Sequence, residues 1–113
     1  MNEHTPVNHG LSQRSINTMQ NIFKKYKPLK KVILYGSRAM GNYKNGSDID
    51  ITFDVDEDFT EFDLLHICGE LDESDLPYFV DCSVFSRISD PDLKDHIIRV
   101  GNVLYESGIG GID

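Results

Sequence analysis

Asp48 and Asp50 stand one residue apart in "GSDIDITF", at the start of an alternating apolar run. In an extended chain two such residues point to one side, with their reference atoms roughly 6–7 Å apart. Their carboxylates can therefore converge. Two unit charges about 4–5 Å apart at an effective dielectric near 20 repel by several kcal/mol, and a divalent cation between them reverses the sign. Hard carboxylate oxygens suit Mg2+, with Mn2+ the alternative, and such a site completes its shell with water and substrate phosphates. Taken alone, the same pair reads more simply as two solvent-facing residues of an edge strand.

A third acid strengthens the case. In "YFVDCSVF" Asp81 sits among Phe79, Val80, Cys82 and Val84, where a buried carboxylate without a partner is costly. If this strand lies beside the one that carries Asp48 and Asp50, three carboxylates surround two metal ions. That arrangement serves in-line nucleotidyl transfer: one ion lowers the pKa of the attacking hydroxyl and the other neutralises the leaving pyrophosphate. The simpler alternative is a single aspartate bonded to backbone or to an arginine.

Upstream, "VILYGSRAMG" places Gly36, Ser37 and Arg38 directly after an apolar strand. Gly36 lets backbone approach a triphosphate closely, Ser37 offers a hydroxyl, and the amides of the following turn point the same way. Arg38 is a candidate phosphate clamp, with an ion pair to one of the many acids as the alternative. The histidines carry less. His66 and His96 have no partner at metal-ligand spacing and read as surface or half-buried residues, while His4 and His9 belong to the N-terminal segment. Tyr35 reads as a packed strand residue that could also stack a base.

These residues need a scaffold. "LSQRSINTMQNIFKKY" has helical apolar spacing with Ser12 as N-cap, and Pro28 closes it. "KKVILYG" is a buried strand, and "SRAMGNYKNG" one helical turn and a loop. "SDIDITFDV" alternates, with Ile49, Ile51 and Phe53 on one face and Asp48, Asp50 and Thr52 on the other. "DFTEFDLLHICGELDES" is an amphipathic helix with Leu64, Leu65, Cys68 and Leu71 inward, followed by the strand "LPYFVDCSVF". A helix over 92–100 and a short extended segment or turn, "NVLYE", complete the order. The expected fold is α/β (α+β): a small mixed β-sheet packed by helices. Residues 1–10 read as a flexible arm, 11–107 as the single domain and 108–113 as a tail.

Composition narrows the function. The 113 residues carry a net charge of −8, which argues against direct nucleic-acid binding. Seven of eleven Lys and Arg residues lie between Lys24 and Lys44, and twelve of nineteen acids between Asp48 and Asp75. A basic segment leading into an acidic one suits a phosphate ligand with its metals, although two solvated surfaces explain it as simply. Cys68 and Cys82 lack metal-ligand spacing and are expected as free thiols of a cytoplasmic protein. No apolar stretch is long enough to span a membrane, and the start lacks signal-peptide features.

A Gly-Ser pair, ten residues, then Asp-x-Asp, as in "GSRAMGNYKNGSDID", resembles the signature of the DNA polymerase beta-like nucleotidyltransferase superfamily. "KVILYGSRAMG", "LPYFVDCSVF" and "DHIIRVGNVLYE" look like its small branch, the minimal nucleotidyltransferases (MNT), over about residues 11–106. The resemblance implies that Gly36 and Ser37 handle the triphosphate, that Asp48 and Asp50 bind Mg2+, and that Asp81 binds metal and activates the acceptor hydroxyl. Many members read Gly-Ser-Arg-Ala-Arg-Gly; here Met40 replaces the second arginine, which removes a second phosphate clamp. The resemblance further implies ATP as donor and a HEPN-domain toxin as partner, with AMP transferred to a toxin tyrosine. Neutralisation by contact alone, and transfer to a small molecule of the aminoglycoside type, are the alternatives. A homodimer or a hetero-oligomer is compatible with all three.

Overall fold

The computed structural model describes residues 9–108; the first eight residues of the expected arm, His4 among them, and residues 109–113 of the expected tail lie outside the described residues. Helix α1 (Gln13–Phe23) starts at Ser12, whose hydroxyl accepts the Ser15 amide at 3.0 Å. It leads through Pro28 into β1 (Leu29–Tyr35), then the short helix α2 (Gly36–Met40) and β2 (Ile49–Val55). Helix α3 (Glu61–Glu73) crosses over to β3 (Val80–Val84). A 3-10 turn (Phe85–Arg87), α4 (Pro91–Val100) and β4 (Asn102–Glu106) complete the chain, so the "NVLYE" segment is a strand.

The sheet order is β3-β2-β1-β4. β1 runs antiparallel to β2 and β4, and β2 runs parallel to β3. A parallel neighbour needs a crossover, and α3 supplies it. The strand period of two then sorts the side chains. Val32, Leu34, Ile49, Ile51 and Phe53 are fully buried with Met19 and Phe23 of α1 and Ile67 of α3. The Phe23 ring meets Phe53 edge-on, with centroids 6.0 Å apart. The other face carries Ile33, Tyr35, Asp50, Thr52, Asp81 and Ser83. It is only partly roofed, by α4 over β1 and by the 3-10 turn against β2.

Two expectations about burial are corrected. Leu65 faces solvent at 60 % exposure, and Ile67 takes its place in the core. The cause is helix phase. A capping box between Thr60 and Asp63 starts α3 at Glu61, which sets Leu64, Ile67 and Leu71 on one face at i, i+3 and i+7. Asp81 is likewise exposed rather than buried among its apolar neighbours. Val80, Cys82 and Val84 pair with Ile49, Ile51 and Phe53 on the core face, so the alternation sends Asp81 to the opposite side.

Both cysteines are free and half-buried. Burial, with the Cys68 thiol alongside, pushes the Cys82 thiol well above its ordinary value. Of the basic segment, Lys25 pairs with Glu70 and Lys30 with Asp56 (3.6 Å). Lys30 lies at the opposite end of β1 from Gly36. These pairs are surface ion pairs rather than a phosphate cradle.

Candidate active site

The strand register assembles the site. Tyr35 pairs with Asp50, and Asp50 pairs with Asp81, so one row runs across β1, β2 and β3 on the partly open face. The next row contains Ile33, Thr52 and Ser83. Thr52 is fully buried, and its hydroxyl is satisfied by donating to the Ser83 carbonyl (3.3 Å) and accepting from the Ser83 hydroxyl (3.0 Å). Tyr35 hydrogen bonds to the Ser83 side chain, and burial outweighs that bond to hold its phenol above the ordinary value. Asp48 is exposed, one residue ahead of β2.

The three acids interact. The Asp50 carboxyl is held above its usual range, first by burial and then by the charges of Asp81 and Asp48, with His96 acting in the opposite direction. Among the described residues no three potential ligands already stand as a metal cluster. The donor set nevertheless fits a hard divalent cation in kind: oxygen-only ligands whose mutual repulsion a cation would relieve, with Asp50 and Asp81 paired on one face. A cleft of about 820 Å3 opens beside β3, lined by Asp81 with Cys68, Leu76, Phe79 and Cys82.

Gly36 closes over Asp50. Its φ of +78° belongs to the left-handed region, and a Cβ there would stand 2.5 Å from Asp50 Oδ2. Glycine is thus required twice, by conformation and by contact. The Ser37 carbonyl accepts the amides of Gly41 (2.9 Å) and Asn42 (3.2 Å), which ends α2. The Ser37 hydroxyl has no hydrogen-bond partner among the described residues.

Arg38 is placed differently from the other candidates. It is 2 % exposed. Its Nε and Nη2 donate to the Ser47 carbonyl (3.1 and 2.8 Å), and its Nη1 donates to the His9 carbonyl (2.8 Å). The guanidinium also lies over the rings of Tyr43 and Tyr78, 5.1 and 4.6 Å from their centroids. It makes these contacts in place of an ion pair among the described residues. His9 in turn donates from Nδ1 to the Arg38 carbonyl (3.0 Å). Met40, at the end of α2, is half exposed.

One residue of the site escapes sequence reasoning. His96 of α4 accepts the Gly36 amide at Nε2 (3.2 Å), and its ring meets Tyr35 edge-on at 6.2 Å. No spacing signal could have found it, because the contact joins residues 60 positions apart.

The family described as Polymerase beta, Nucleotidyltransferase matches residues 17–108. No curated protein shows a significant match to the sequence. Among solved structures, the chain resembles one chain of a toxin–antitoxin complex with AMP-PNP, at TM-score 0.64 and 20 % identity, covering 87 % of this chain and 76 % of that one. It also resembles a chain of a complex between a tri-AMPylated Shewanella oneidensis HEPN toxin and an MNT antitoxin. There the TM-score is 0.63 and the identity 17 %, over 90 % of this chain and 78 % of that one. At these identities the likeness shows a shared fold.

Proposed function

The chain belongs to the polymerase beta nucleotidyltransferase family, and from that premise we propose that it is an MNT-type antitoxin that transfers AMP from ATP to a tyrosine hydroxyl of a HEPN-domain toxin. The observation that carries the reading is the register of Asp50 against Asp81, with Asp48 two residues before Asp50 and Gly36 closed over Asp50. The AMPylated toxin in a complex of the same fold supports the choice of donor and acceptor.

In this reading Gly36 and Ser37 hold the outer phosphates, the latter through its hydroxyl, which has no hydrogen-bond partner among the described residues. Asp48, Asp50 and Asp81 would hold Mg2+, which when bound would supply neutralisation of phosphate charge and a lowered pKa of the acceptor hydroxyl. The acceptor oxygen forms a bond to the α-phosphorus, the bond from that phosphorus to the bridging oxygen breaks, and pyrophosphate leaves with the electron pair. Asp81, exposed on the edge strand, takes the acceptor's proton. Arg38 acts through position: it ties α2 to the residue that precedes Asp48. The small half-open site leaves the acceptor to be supplied by a partner surface.

The test is incubation with ATP, Mg2+ and a HEPN-domain toxin as the proposed acceptor, followed by intact mass spectrometry. One or more added AMP units on a toxin tyrosine are expected. No mass change on the toxin, with full neutralisation retained by an Asp48→Ala/Asp50→Ala variant, would assign neutralisation to contact alone.

A further inference from the structure

We propose that His96 is a positioning residue of the site, holding through its Nε2 the Gly36 peptide that begins the phosphate-holding turn. Gly36 is the first residue of α2, so its amide has no partner within that helix. His96 provides one at 3.2 Å from an element that arrives late in the chain. From the other side, Asp50 Oδ2 leaves no room for a Cβ on Gly36. The turn is therefore gripped between a metal-ligand candidate on β2 and a histidine on α4. Its height over Asp50 is set by both.

The bond also fixes the histidine's own state. A ring that accepts at Nε2 carries its proton on Nδ1. Tyr35 sets the ring plane, with an interplanar angle of 81°. Tyr35 in turn pairs with Asp50 in the sheet and bonds to Ser83 of β3. One connected set of contacts thus links α4, the turn and all the strands that carry the acids. The docking of α4 determines where the triphosphate's outer phosphates stand relative to the carboxylates.

The role in transfer rests on the nucleotidyltransferase reading, while the Gly36–His96 contact can be measured without it. In the nucleotide-free full-length chain, the imidazole nitrogen shifts of His96 should report a protonated Nδ1. A protonated Nε2 in the neutral ring would overturn the proposal. His96→Gln keeps an acceptor near the Nε2 position, whereas His96→Phe keeps the ring against Tyr35 and removes the acceptor. His96→Phe should raise Gly36 amide exchange about five- to tenfold, the scale of one hydrogen bond, and His96→Gln by less than about twofold. In AMP transfer His96→Phe should lower kcat by about tenfold with a smaller change in the KM for ATP, and His96→Gln should restore most of it. Unchanged Gly36 exchange in His96→Phe, or equal defects in the two variants, would overturn the proposal. Absence of AMP transfer in the wild type would defeat the functional reading, and the exchange result would still decide the contact.

Discussion

Arg38 grips Ser47 by two donors, Nε at 3.1 Å and Nη2 at 2.8 Å, so α2 and the loop residue before Asp48 are fastened to each other. The turn that would hold phosphate and two of the three acids that would hold metal, Asp48 and Asp50, are built by one connection, residues 36–50. The fork fastens its two ends across the loop. A planar guanidinium with several donors suits this task, because one side chain reaches two carbonyls while its faces stack on Tyr43 and Tyr78.

Replacing Arg38 should therefore be a stability lesion first. Arg38→Lys keeps the charge but loses the fork and the stacking, and should cost about 1.5–3 kcal/mol. Urea unfolding of the nucleotide-free chain measures it. A phosphate clamp would behave otherwise: stability would hold and the KM for ATP would rise.

Gly36→Ala meets two obstacles at once. The positive φ costs an alanine about 1 kcal/mol, and the new methyl must push the Asp50 carboxylate away. The expected loss of stability is modest, at about 1–2 kcal/mol, whereas AMP transfer should fall at least a hundredfold because the displaced group is a site carboxylate. Activity close to wild type would show that the closure of Gly36 on Asp50 does not matter to the reaction.

Asp50→Asn should raise the melting temperature of the metal-free chain at neutral pH. The folded-state pKa of Asp50 is raised, so the native state holds a proton that the unfolded state has already lost. Stability therefore falls as pH rises through the window between the unfolded and folded values, and the penalty is full above the folded one. Asparagine removes the repulsion with Asp48 and Asp81. Partial exposure screens the gain to at most about 1 kcal/mol, or a few degrees, and it should vanish in acid. With Mg2+ and ATP present the order should reverse, because only the wild type gains binding energy. A large loss of metal-free stability in Asp50→Asn would make the aspartate structural.

The first three strands and the mixed sheet were legible because strict alternation leaves one inner face for Ile49, Ile51 and Phe53, and the Gly-Ser and Asp-x-Asp spacing then lies at a strand end. The order of the strands was not, because alternation fixes a face and not a partner. Asp81 was identified for a mistaken reason. Its neighbours in sequence are apolar, but in a strand sequence neighbours occupy the opposite face, so they never bury it. Leu65 failed by helix phase, since several adjacent apolar residues in α3 allowed more than one inner face and only the cap settles which is used. Arg38 and His96 were beyond local reasoning. The partners of Arg38 are carbonyls, which every residue has, and that of His96 is the amide of Gly36.

Because Asp81 stands opposite Asp50 on an exposed edge strand, the two acids should be separable by experiment. Asp81→Asn removes no buried contact, so stability should change by less than about 0.5 kcal/mol. Its charge, however, is one of those that hold the Asp50 carboxyl up. Without it the charged form of Asp50 is less opposed, and its pKa should move down toward the ordinary value. Carbon-detected NMR titration of the Asp50 carboxyl reads that shift in the metal-free chain. AMP transfer by the same variant should fall by a factor of about 100 or more, the scale of losing a general base. A shifted Asp50 with undiminished transfer would leave Asp81 as an electrostatic neighbour only. An unshifted Asp50 would mean that the two carboxylates do not share the face on which the proposed metal site depends.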